Sequence, residues 1–111
     1  MTADEIQKLA KRVYRRLGLR PQHVEQAKAI EFIRLGWYDR ALWGGLHGAS
    51  VHVDLDGKLP RDMLCSCGER FKPCVHAIAI VLRAKDDMSQ FAAGEPERGF
   101  KDAARYDPFW E

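Results

Sequence analysis

All three cysteines of this 111-residue chain lie in one stretch, MLCSCGERFKPCVHAIAIVLR, residues 63–83, and one of its four histidines follows two positions after the last of them. Cys65 and Cys67 form a C-x-C pair, six residues follow, and Cys74 and His76 form a C-x-H pair. Three thiolates and an imidazole make a donor set that holds zinc tetrahedrally, and Cys3His is a common structural combination. The spacing suits such a site. Residues i and i+2 of a strand point the same way, so C-x-C offers two sulfurs from one arm. Six residues suffice to turn back, and a C-x-H pair at the start of a helix closes the site from its first turn.

Competing chemistries fit less well. Free cysteine is often simply buried, but chance would scatter three of them, and the polar GERFK loop between them is a poor core segment. A redox pair would show C-x-x-C, and an iron–sulfur cluster usually takes four cysteines. His47 and His52 are alternative fourth ligands, yet His76 alone sits at the expected spacing. His23 reads as a surface residue.

Elements must position these donors. Residues 4–17, DEIQKLAKRVYRRL, place Ile6, Leu9, Ala10, Val13, Tyr14 and Leu17 at helical spacing. Thr2 is the candidate cap, Asp4 and Glu5 suit the positive end, and Gly18 stops the helix. A second helix is expected over residues 21–35, opened by Pro21 and ended by Gly36. The period then changes to two. RALWGGL and SVHVDL read as strands joined around HGA, with Val51, Val53 and Leu55 on a buried face. A third strand is expected over DMLCSC. The apolar helix of residues 73–85 is expected to lie buried against the sheet, with the metal pinning its first turn. From Asp87 onward the pattern is less regular, but Phe91, Phe100, Tyr106, Phe109 and Trp110 are many aromatics for a solvated tail, so some should dock on the domain or on a partner. The expectation is an α+β fold: a helical segment (residues 1–36), a zinc-stapled unit of short antiparallel strands and a buried helix (37–86), and a partly docked tail (87–111).

Composition narrows the class. Eighteen Lys and Arg against sixteen Asp and Glu leave a formal charge of +2, too little to announce a nucleic-acid binder by itself. Charge is unevenly placed: residues 1–40 hold nine basic and five acidic side chains, residues 85–111 four and seven. No secretory leader and no membrane span is expected, which points to a cytoplasmic, intracellular protein with reduced thiols. H-E-x-x-H, P-loop and G-x-S-x-G signatures do not occur, and a zinc with four protein ligands keeps no position for water, so neither catalysis nor a small-molecule substrate is expected.

CSCGERFKPCVH resembles the C-x-C…C-x-H signature of the SWIM-type zinc finger. The resemblance extends from ALWGGLHGASVHVDL upstream to CVHAIAIVL downstream, about residues 40–83, and does not reach the N-terminal helices or the tail. It implies short strands followed by a helix with zinc between them, held by Cys65, Cys67, Cys74 and His76. It also implies association with DNA or with proteins. Two positions depart from the family pattern. Gly68 stands where many relatives have proline, which alters the loop. Val75 stands where many have a basic residue, which weakens a phosphate-binding reading. Arg70 and Lys72 keep the loop basic, and Arg12, Arg15 and Arg16 make the end of the first helix basic. These five are the candidate nucleic-acid contacts. The alternative is a protein–protein interaction subunit of a larger assembly, with zinc purely structural.

Overall fold

The computed structural model describes residues 2–56, 63–67 and 74–95. Arg70 and Lys72, and the aromatics beyond Phe91, lie outside the described residues.

The first helix, α1 (Ala3–Leu17), forms where the apolar spacing predicts it. Its N-terminus carries a reciprocal capping box. The Glu5 N–H donates to Thr2 Oγ1 at 3.3 Å, and the Thr2 N–H donates to Glu5 Oε1 at 3.3 Å. Gly18 ends it in the left-handed conformation, φ 57°, which a side chain would disfavour. Ile6, Ala10 and Val13 form its buried stripe.

The second helix, α2 (Pro21–Lys28), is shorter than the sequence reading. The last residues assigned to it belong to a strand, β1 (Arg34–Tyr38). Ile30 and Ile33 fit a helical period, but Ile33, Trp37 and Tyr38 are β-formers. Pairing with the next strand across a two-residue turn also satisfies their backbone groups. The ladder joins β1 to β2 (Ala41–Leu46), from Arg34↔Gly45 to Tyr38↔Ala41. β3 (Ala49–Asp54) and β4 (Met63–Cys65) continue it antiparallel, as expected. A two-residue strand, β5 (Ala92–Ala93), pairs parallel with β1, so the order is β4-β3-β2-β1-β5.

One sheet face is apolar. Leu42, Val51, Val53, Met63 and Cys65 point into the core with Ile6, Ala10, Ile80 and Val81. The last helix, α3 (Val75–Asp86), is buried nearly all round. One side meets the sheet. The other meets α1 and α2, where Ile78, Ala79 and Leu82 pack with Ala27 and Tyr14. The helix therefore lies between two layers rather than against the sheet alone, which accounts for its lack of a polar face. After α3, a 3-10 turn (Met88–Gln90) brings Phe91 into the core, so this one tail aromatic docks as expected.

On the opposite sheet face Trp43 lies across β1. Gly36 makes room for it, because a Cβ at that position would overlap the indole ring. The indole Nε1–H donates to the Gly94 carbonyl at 2.9 Å, and the Gly94 N–H donates to the Trp37 carbonyl at 2.9 Å. Gly36, which reads as a helix stop in the sequence, is a strand residue chosen for close approach.

Candidate metal centre

Two elements deliver the four donors. Cys65 ends β4 opposite Val51, and its alternation with Met63 turns its side chain inward. Cys67 lies two residues on. Between them Ser66 is fixed to the neighbouring strand twice: its N–H donates to the Ser50 carbonyl at 3.0 Å, and its Oγ accepts from the Ser50 N–H at 2.8 Å. These bonds hold the C-x-C arm in place. No chemistry-bearing motif in the sequence marks Ser50 or Ser66 for this task. On the other side Cys74 is the N-cap residue of α3, with its carbonyl accepting from the Ile78 N–H at 3.1 Å, and His76 lies in the first turn.

The thiol sulfurs of Cys65, Cys67 and Cys74 and a ring nitrogen of His76 all lie within 4.8 Å of one another. Cys65 Sγ is 3.5 Å from His76 Nδ1. A tetrahedral zinc with bonds of about 2.3 Å to sulfur and 2.0–2.1 Å to nitrogen places those atoms about 3.6 Å apart, so the spacing fits the ion. Cys65 and Cys74 are buried, whereas Cys67 and His76 are half-buried. All three cysteines are free of disulfides.

The electrostatics of the sulfurs also suit a cation. A hydrogen bond from the Cys65 thiol lowers Cys74 to about 5, against the opposing effect of burial. The Ala77 and His76 N–H groups at the positive end of α3 favour the same thiolate, without a regular capping hydrogen bond. Cys65 is pushed strongly up, first by that shared hydrogen bond and then by burial and the Cys74 charge. Without a metal, therefore, the Cys65 and Cys74 sulfurs share a proton across their hydrogen bond. A zinc ion takes the place of that proton, and its binding releases protons.

The remaining histidines do not join this group. His52 is buried on the far sheet face, opposite Trp43 and Leu64 in the ladder, at a cavity of about 790 Å³ shared with Tyr38, Asp54 and Glu95. His47 and His23 are exposed. Arg12, Arg15 and Arg16 are exposed on α1. Lys11, which belongs to the same basic helix end in the sequence, and Lys8, which the sequence does not mark, share that exposed surface.

The family model of the SWIM zinc finger matches residues 51–85, from β3 through the Cys/His cluster to the last turn of α3. The match overlaps the resemblance read from the sequence over residues 51–83 and leaves α1 and α2 outside. No curated protein and no solved structure matches the chain.

Proposed function

We propose, from the match of residues 51–85 to the SWIM zinc-finger model, that this chain is a non-enzymatic, intracellular module in which Cys65, Cys67, Cys74 and His76 hold one structural zinc and which associates with DNA as an accessory protein. Four protein ligands fill the zinc coordination sphere, so the ion staples the fold and does not act on a substrate. No described helix is long and apolar enough to cross a membrane.

The observation that carries the DNA reading is the outer face of α1. Lys8, Lys11, Arg12, Arg15 and Arg16 are exposed, and none of them is in an ion pair among the described residues. No acidic residue occurs between Glu5 and Glu25. Basic residues near a helix C-terminus complement its dipole, but that accounts for the last turn and not for Lys8 or Lys11. The helix packs directly on α3 of the finger, through Ile6, Ala10 and Val13. The protein-interaction reading draws on the near-neutral total charge and on Val75.

Binding to mixed-sequence duplex DNA across a salt series separates the two. Each side-chain phosphate contact contributes roughly 0.9 to the slope of log K against log salt. Changing Arg70 and Lys72 of the finger loop to Ala should flatten the slope by about two units, equally for every sequence, with zinc content unchanged. Absence of binding at low salt would favour the protein-interaction role.

A further inference from the structure

We infer that the groove between α1 and the C-terminal end of α3 binds the phosphate backbone of a nucleic acid, at a site separate from the Cys/His cluster. The inference rests on the DNA reading above and assigns it a place.

The groove encloses about 480 Å³. Gln7, Lys11, Tyr14 and Arg15 line one wall; their spacing of four, three and one residues puts them on one flank of α1. Lys85 and Asp86 line the other. Three cations thus face one carboxylate, and that carboxylate is already engaged, with Asp86 Oδ1 2.6 Å from Lys85 Nζ.

The groove is also prepared. Lys85 Nζ lies 4.9 Å from the centroid of the Tyr14 ring, and its side chain is only 27% exposed. An ammonium already held by a ring and a carboxylate loses little freedom on meeting an anion. The Gln7 Nε2–H donates to the Lys85 carbonyl at 3.0 Å, which occupies one of the open carbonyls at the negative end of α3. Lys85 and Gln7 therefore have a structural role there. Lys11 and Arg15 are exposed, no ion pair among the described residues uses their charge, and only Arg15 lies in the last turn, where it complements the helix dipole.

The arrangement suits a polymer rather than a single small anion. Positive charge continues from the groove onto Lys8, Arg12 and Arg16 of the same helix. At about 1.5 Å per residue, positions 8 to 16 span about 12 Å, the axial rise of about three phosphates along one strand. The metal cluster is at the other end of α3, about 15 Å away by the same rise. One end of the helix would hold the ion and the other would present Lys85.

The test uses the full zinc-loaded chain and a labelled mixed-sequence duplex, with binding read by anisotropy over a salt series. The Lys11→Ala, Arg15→Ala double variant should flatten the slope of log K against log salt by about two units, and Lys85→Met by about one. Lys28→Ala, at a lysine 3.9 Å from the Glu25 carboxylate and away from the groove, should leave it unchanged. Zinc content should stay at the wild-type value in all three, and so should thermal melting except in Lys85→Met, which loses the Tyr14 and Asp86 contacts and should melt slightly lower. If wild type binds with a salt-dependent affinity but neither groove variant changes the slope, the groove is not the site and the DNA reading survives without it. Failure of wild type to bind at low salt would overturn both.

Discussion

Cys74→Ser is expected to abolish zinc retention and to unfold α3. Structural zinc contributes on the order of 10–16 kcal/mol in zinc-finger peptides, against about 5–15 kcal/mol for the entire stability of a typical domain. Cys74 is both a donor and the residue from which α3 starts. Its loss leaves the buried Cys65 thiol beside a weaker ligand, and it frees the first turn of a helix whose residues fill both halves of the core. Hydrogen exchange should show the amides of residues 78–84 losing their protection, with a corresponding fall in helical circular dichroism. Native-like protection of α3 in the variant would show that packing alone sustains the helix. In the zinc-loaded wild type the same loss should appear on adding a strong chelator, and added zinc should restore the protection.

The second large effect is expected far from the metal. In Gly36→Val the new side chain meets the Trp43 indole, which lies where its Cβ must go. The ring has to leave, and with it go the bond to the Gly94 carbonyl and the register that holds β5 against β1. Overpacking of this kind costs about 3 kcal/mol, and the lost hydrogen bond adds about 1 kcal/mol. Urea denaturation should show the reduced midpoint, and indole fluorescence should report a more solvated tryptophan. Zinc content should remain at the wild-type value, because the four donors cluster at the end of β4 and the start of α3, and Cys65 faces the other side of the sheet. A stability within about 0.5 kcal/mol of wild type would contradict the close approach of Gly36 and Trp43.

The contrast between these two sites shows what a sequence can carry. Few residue types make good zinc ligands, so their spacing alone picked out Cys65, Cys67, Cys74 and His76, and the structure brings those same four together. The first helix was equally legible. Its apolar period and its Thr2…Glu5 cap are local, and both are formed. β1 was not legible. Ile30 and Ile33 continue the helical period, and what makes residues 34–38 a strand is the ladder to β2, a partner further along the chain. Gly36 carried a misleading signal for the same reason: the ring it accommodates belongs to the neighbouring strand. Lys11 and Lys85 are 74 residues apart, and only the packing of α1 on α3 places both along one groove.

The central claim is that a zinc ion held by the Cys3His cluster is part of this fold. Elemental analysis of folded protein, purified without added metal, tests it most directly. The account predicts about one zinc per chain in the wild type and none retained by Cys74→Ser. A folded wild-type sample with less than about a tenth of a zinc per chain, and α3 still protected from exchange, would contradict it.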